Sequence, residues 1–322
     1  MKVIVLKGKE LEKLISPGTL IQELEKVFIL HSKGETIMPM RTVMWINDGW
    51  WAIMSAFVPG YGVSVKLVNV IPKNIKRNLP TTQALVSLYN PENGTPLAIM
   101  DGKVLTAMRT AAICALSVRH LVTSQEGIIG IVGAGFQARY FVKFIPEVFK
   151  VKSFKIYDIN PSAANSLAKV VQELGYNAIV CDSLKESLRE TDIVLEATTS
   201  KKTVTHFENL TPPVHVISIG VTGTDVNLVE EKVILQAEMI VVDSRKAVME
   251  EVGDLRPLVE RGLLREEEIL ELGEVIMGKK IKRTESGITV FKSVGLAIQD
   301  VCAANLAYRR ACEEGIGKSI EI

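Results

Sequence analysis

The sequence has 322 residues, 38 Lys and Arg against 37 Asp and Glu, and a formal net charge of +1. At about 150 residues per domain this length suggests two domains, each able to bury a core. Apolar residues at 47% and charged residues at 23% exclude disorder as the main state, and the balanced charge argues against nucleic-acid or anionic-membrane partners.

Lys2–Leu6 reads as a strand. Ser16-Pro17 opens a helix, with Ser as N-cap and Pro in the first turn, and Leu20, Ile21, Leu24, Val27 and Phe28 follow at helical spacing up to a stop at Gly34. From Thr42 to Met100 the pattern changes to short β-rich runs, with a turn at Asn90-Pro-Glu-Asn-Gly94, which predicts an antiparallel sheet. The charge-free stretch from Gly49 to Val65 is broken by Pro59, Gly60 and Gly62, so it reads as strands and a turn rather than a membrane helix. Leu105–Val122 reads as a helix.

From Gly127 short apolar runs alternate with helical stretches: Ile128–Val132, Phe154–Tyr157, Ala178–Val180, Ile193–Leu195, His215–Ile219, Met239–Val242 and, after Gly287, Thr289–Phe291. That rhythm predicts a parallel sheet covered on both faces. A last helix, from about Gly295 to Cys312, is expected to pack back on the first domain. The expected division is 1–122 with 295–322, and 123–294. The opening MKVIVLKGKELEKL has no secretory pattern, and Cys114, Cys181, Cys302 and Cys312 form no C-x-x-C pair, so a cytoplasmic chain with reduced thiols is expected. His31, His120, His206 and His215 have no ligand spacing, and no metal is expected.

Gly133-Ala134-Gly135-Phe136-Gln137-Ala138 follows a strand directly and opens a helix. This is a G-x-G-x-x-A dinucleotide fingerprint: Gly133 for the tight turn, Gly135 for close approach to a pyrophosphate, Ala138 for helix–strand packing. Free N–H groups at the helix start would hold the anion. Asp158 stands twenty residues after Ala138, placed for a ribose 2′-hydroxyl, and no arginine follows it directly. NAD(H) is therefore expected, with NADP(H) as the alternative. Thr198 and Gly220 follow parallel strands at their carboxyl ends, where ligands bind in open α/β sheets. In the first part of the chain Arg41, Lys66 and Arg109 are cations in apolar settings. One such residue is usually an edge or snorkelling side chain, but several suggest a carboxylate site, and a desolvated lysine beside an arginine can move protons near neutral pH.

Gly62-Val-Ser-Val-Lys66, Leu79-Pro-Thr-Thr, Asp101-Gly-Lys-Val-Leu-Thr-Ala-Met-Arg109-Thr-Ala-Ala, the Gly133–Ala138 loop, Val242-Asp-Ser-Arg245 and Phe291-Lys-Ser-Val-Gly-Leu-Ala-Ile-Gln-Asp300 together resemble the ornithine cyclodeaminase/mu-crystallin family along nearly the whole chain. That family includes an archaeal type of alanine dehydrogenase and reductases of cyclic imino acids. The resemblance implies an α/β protein: a Rossmann NAD(P)-binding domain plus an α+β substrate and dimerisation domain formed by the N-terminal part and the last helix. It implies that Arg41 and Arg109 clamp a substrate carboxylate and that Lys66 is the catalytic group near the reacting nitrogen or carbonyl. Gly133, Gly135, Gln137 and Ala138 would surround the pyrophosphate and Asp158 the adenosine ribose, with Thr110, Ala134, Thr198 and Gly220 completing the cofactor contacts. A homodimer is implied.

Cyclodeaminases carry an aspartate two residues after the glycine that ends the fifth Rossmann strand. Here Gly220 is followed by Val221 and Thr222, and Asp225 comes three residues later, where a turn or cap role is expected. Threonine is no general base. The expected function is thus NAD(H)-dependent hydride transfer at the α-carbon of a small amino or imino acid, such as Δ1-pyrroline-2-carboxylate, or alanine against pyruvate and ammonia. Ornithine cyclodeamination to proline is one alternative, and a nucleotide-regulated binding protein of mu-crystallin type is another.

Overall fold

A computed structural model describes residues 1–220, 223, 225–279 and 287–322. The chain divides into two compact units, Met1–Arg109 with Leu296–Ile322, and Thr110–Gly295.

The first unit is a seven-stranded sheet backed by helices. In chain order its elements are β1 (Lys2–Leu6), α1 (Gly8–Leu14), α2 (Pro17–Ser32), β2 (Thr42–Ile46), β3 (Gly49–Val58), β4 (Gly62–Val70), β5 (Thr82–Tyr89), β6 (Pro96–Asp101) and the start of α3 (Gly102–Leu121). The chain returns to this unit with the C-terminal helix Ala297–Glu314 and the strand Lys318–Glu321. The strand order runs from Lys318–Glu321 through β1, β6, β5, β4 and β3 to β2. All pairings are antiparallel except β1 with β6. The strands expected to form an antiparallel sheet from Thr42 to Met100 do so, and β1 adds a parallel pairing to β6.

The local signals work as their chemistry requires. Ser16 Oγ accepts from the Thr19 N–H at 3.4 Å and starts α2, while Gly34 takes φ 75° just beyond its end. In the Asn90–Gly94 turn, Asn90 accepts from the Glu92 N–H and Gly94 takes φ 74°. The C-terminal helix packs on α2, β3 and β4, as expected for a helix of small buried residues.

β4 inverts the usual pattern. Along Gly62-Val-Ser-Val-Lys-Leu-Val, alternation would send Ser64 and Lys66 outward. Instead Ser64 and Lys66 are buried on the helix-covered face, and Leu67 is 40% exposed on the open face. In register beside Leu67 lie Ile53 and Leu85, at 40% and 52% exposed. The sheet thus buries a cation and leaves an apolar row open.

The second unit is an eight-stranded, wholly parallel sheet. Its strands are β7 (Glu126–Val132), β8 (Lys150–Tyr157), β9 (Asn177–Val180), β10 (Ile193–Glu196), β11 (Val214–Ser218), β12 (Ala237–Val242), β13 (Ile269–Glu271) and β14 (Ile288–Lys292). The order is β13-β12-β14-β11-β10-β7-β8-β9. The direction of winding reverses between β7 and β10, which is where open α/β sheets bind ligands. The helix α4 (Phe136–Phe144) follows β7, and α5 (Pro161–Glu173) starts at the Asn160 cap. β13 has only three residues and escaped the sequence pattern.

Candidate active site

Lys66 lies mid-strand in β4 and is 2% exposed. It is neither an edge nor a snorkelling residue. Its Nζ is 2.6 Å from Asp300 Oδ2, on the first turns of the C-terminal helix. Arg109, well inside α3, donates from Nε to Asp300 Oδ1 at 3.0 Å and from Nη1 to Gln299 Oε1 at 2.7 Å. One buried carboxylate therefore holds two buried cations.

The electrostatics follow from that count. Burial pushes the Lys66 ammonium down, Asp300 opposes the fall, and the charges of Arg109 and Arg41 add to it, leaving Lys66 at about 8. Burial alone would raise Asp300, but Lys66 and Arg109 outweigh it and hold the carboxyl below its usual range. Arg41 is half-buried just before β2, close enough for its charge to act on Lys66. Lys66 and Arg109 thus share one fixed negative charge, and the charge of Arg41 reaches Lys66. The excess is positive, which suits a small carboxylate. A lysine near 8 can hand over or receive a proton close to neutral pH.

Asp300 escaped the sequence reading as a site residue, although it ends the motif Phe291–Asp300. An acid in a first helical turn is ordinarily read as answering the helix dipole. The missed signal is its setting: Gln299-Asp300 sits in Ala297-Ile-Gln-Asp-Val-Cys-Ala-Ala, with no other charge.

In the second unit Gly133 takes φ 95°, and a Cβ there would lie 2.6 Å from Ala197 O. Only glycine fits both demands. Gly135 caps α4 without a side-chain bond, and nothing lies within 4 Å of where its Cβ would be. The open space above uncapped helical N–H groups suits a pyrophosphate. Asp158 accepts from the Ala134 N–H at 2.8 Å and from the Asn160 N–H at 2.8 Å. A carboxylate has about four acceptor positions, so Asp158 can fix the loop and still take a ribose hydroxyl. Gln137 Oε1 is buried with no partner among the described residues. These features fit a dinucleotide.

Ala138 is buried in α4. A Cβ on Gly220 would come within 2.9 Å of Thr198 O, so Thr198 lies between the loops of Gly133 and Gly220. Thr110 is buried on α3. Thr222 lies outside the described residues. Asp225 is exposed and pairs with Lys201 at 3.2 Å, a surface contact that holds its carboxyl below the usual range.

A second buried polar group was also missed. Glu196, Ser218 and Lys292 end β10, β11 and β14 in register, so their side chains share one face. Lys292 Nζ meets Asp254 Oδ2 at 2.5 Å and Ser218 Oγ at 3.0 Å. Neither Glu196 oxygen has a well-directed hydrogen bond among the described residues. Burial raises Glu196 to about 7, against the smaller lowering effects of Thr205, Lys292 and Ser218 nearby. The sequence reading ended two of these strands at Leu195 and Phe291, one residue short of the charge.

Among the described residues no cluster of His, Cys, Asp or Glu is arranged to hold a metal ion, and no helix is long and apolar enough to cross a membrane.

The model of the ornithine cyclodeaminase/mu-crystallin family matches residues 1–315. An alanine dehydrogenase of Archaeoglobus fulgidus is 31% identical over 323 residues, covering 100% of this chain and 99% of its own. The solved Δ1-pyrroline-2-carboxylate reductase of Thermococcus litoralis, in complex with NADH and L-proline, superposes with a TM-score of 0.94 at 34% identity, covering 99% of this chain and 100% of that one. An archaeal alanine dehydrogenase dimer with bound NAD gives 0.93 at 30% identity, with both chains covered in full.

Proposed function

The chain belongs to the ornithine cyclodeaminase/mu-crystallin family, and from that premise we propose that it is an NAD(H)-dependent oxidoreductase acting at the α-carbon of a small amino or imino acid, with Δ1-pyrroline-2-carboxylate as the first candidate and pyruvate with ammonia as the second. The observation that carries this reading is the buried Lys66–Asp300–Arg109 cluster with its excess positive charge. Such a cluster is costly to build and matches one carboxylate plus one proton transfer.

NADH, when bound, supplies the hydride. The chain does the rest. Arg109 and Arg41 bind the substrate carboxylate and fix which face of the imine is presented. Lys66 Nζ holds the proton that the nitrogen needs in the reductive direction and accepts it in the oxidative one. Asp300 holds Lys66 and Arg109 in place. Gly133, Ala134, Gly135, Gln137 and Ala138 receive the pyrophosphate and Asp158 the adenosine ribose, with Thr110, Thr198 and Gly220 as further contacts. The N-terminal unit with the C-terminal helix is the substrate domain, and the parallel-sheet unit is the cofactor domain.

The chain works as a homodimer in the cytoplasm on this reading. The open row of Ile53, Leu67 and Leu85, with Met44 and Ile46 of the edge strand β2 on the same face at 39% and 51% exposed, suits a second copy. The similarity to a dimeric alanine dehydrogenase supports it. All four cysteines are free thiols, which fits a reducing compartment.

The test is NADH oxidation by the purified chain with Δ1-pyrroline-2-carboxylate, and separately with pyruvate and ammonia. Turnover of either is the expected result. Release of proline and ammonia from ornithine with catalytic NAD⁺ would replace this reading with cyclodeamination. NADH binding without turnover of any of these would replace it with a binding protein.

A further inference from the structure

Gln299 has a side chain with 0% exposure, one step from the ion cluster. Its Oε1 accepts from Arg109 Nη1 at 2.7 Å. Its Nε2 is buried and has no hydrogen-bond partner among the described residues. The amide cannot be turned round to cure this. Arg109 has only donors, so the oxygen must face it and the NH2 group must point elsewhere.

An unmet buried donor forfeits the hydrogen bonds it had to water. Such a group is well explained when an acceptor arrives from outside. The surroundings specify what kind of acceptor. Asp300, the next residue, is committed to Arg109 Nε and Lys66 Nζ. Two cations against that one carboxylate leave a positive excess. Gln299 also sits in the first turn of an eighteen-residue helix whose N-cap, Leu296, offers no side-chain oxygen. The positive end of that helix favours the same sign of ligand. Three independent features therefore ask for an anion: the unpartnered amide, the excess charge and the uncapped helix end.

We propose that Gln299 is a specificity-determining residue that reads the substrate carboxylate, with Oε1 locking the Arg109 fork and Nε2 donating to a carboxylate oxygen beside it. This rests on the reading of the chain as an amino or imino acid oxidoreductase. It adds a neutral donor to the charged donors of the carboxylate seat, fixed beside Arg109 by their shared hydrogen bond. Arg109 cannot swing away from a ligand without breaking its bond to the amide.

Two variants separate reading from mere support of Arg109. Gln299→Glu keeps an oxygen for Arg109, removes the donor and turns a second oxygen toward the ligand. Gln299→Met removes both functions and introduces no charge. Each is checked for fold by circular dichroism, then assayed as full-length protein with NADH and Δ1-pyrroline-2-carboxylate. L-Proline binding to the NADH-loaded protein is measured by calorimetry in parallel.

The expected result is a KM raised at least ten-fold in both variants, with kcat within about three-fold of the parent and NADH affinity unchanged. The Gln299→Glu defect deepens as pH rises and the new carboxyl ionises, and L-proline binding weakens in step with KM. A parental KM and parental L-proline affinity in Gln299→Glu, with only Gln299→Met impaired, would overturn the proposal and leave the amide as a brace for Arg109. An active parent with that outcome keeps the proposed function intact. A parent that neither turns over an imino or keto acid nor binds L-proline would overturn the functional reading, and the Gln299 proposal with it.

Discussion

Two buried charge clusters, one in each unit, are each built on a lysine–aspartate pair and differ in the third member, an arginine in one and a glutamate in the other. In the first unit Lys66 and Arg109 share the single carboxylate of Asp300, so one positive charge is left over. In the second, Lys292 has Asp254 as its ion partner and Glu196 nearby, and Glu196 sits at about 7, where it can stay protonated. Below about pH 7, with Glu196 protonated, that second cluster sums to zero net charge. Burial of charge is expensive in both places. Only the unbalanced sum asks for a ligand, so the imbalance, rather than the burial, marks the substrate side.

The comparison breaks hardest at Asp300. Asp300→Ala leaves two buried cations with no counter-charge, and we expect a loss of about 3–5 kcal/mol in denaturant stability together with loss of turnover. A stable, active Asp300→Ala would mean that the cluster is more hydrated than its burial indicates.

The second cluster responds in the other direction. Glu196 has a folded pKa raised from 4.5 to about 7, so the folded chain holds a proton that the unfolded chain releases. Stability then falls as pH rises from about 4.5 to 7 and levels off above. Glu196→Gln should remove that fall and gain on the order of 3 kcal/mol at pH 8, an upper bound from the size of the shift. Urea denaturation at pH 5 and pH 8 checks it, and an unchanged slope between the two would refute it.

Smaller effects sharpen the assignment of each unit. Asp158→Ser should raise the preference for NADP(H) over NAD(H) by about ten-fold or more, because a carboxylate repels a 2′-phosphate. No change in that ratio would remove Asp158 from the ribose site. Leu67→Glu on the open face should lower the mass seen by light scattering toward the monomer, leaving Lys66 on the opposite face untouched. An unchanged mass would place the dimer contact elsewhere.

Much of this was legible in the sequence because single segments carried it. The glycine loop, Asp158 and the strand–helix rhythm are local patterns, and the structure brings them together as the spacing implied. Lys66 and Arg109 stood out as lone cations in apolar runs. What escaped was mostly relational. Asp300 looks like an ordinary first-turn acid until Lys66 and Arg109, remote in sequence, are found on its two oxygens. Glu196 and Lys292 look like residues just beyond strand ends until the register of β10, β11 and β14 aligns them. The inversion of β4 was written in its alternation, with Ser64 and Lys66 polar and Val63, Val65 and Leu67 apolar. Which face the helices would cover is settled only by the fold.

The central claim is that Asp300, the carboxylate shared by Lys66 and Arg109, sets the proton affinity of Lys66. The direct measurement is the pH dependence of kcat/KM for NADH-dependent reduction in the parent and in Asp300→Asn. The parent should lose activity as Lys66 deprotonates, with a limb near pH 8. Asp300→Asn removes the charge that holds the proton on Lys66, so its limb should move down by about one to three pH units. A limb that stays in place in Asp300→Asn would contradict the account, because the proton would then belong to a group other than Lys66.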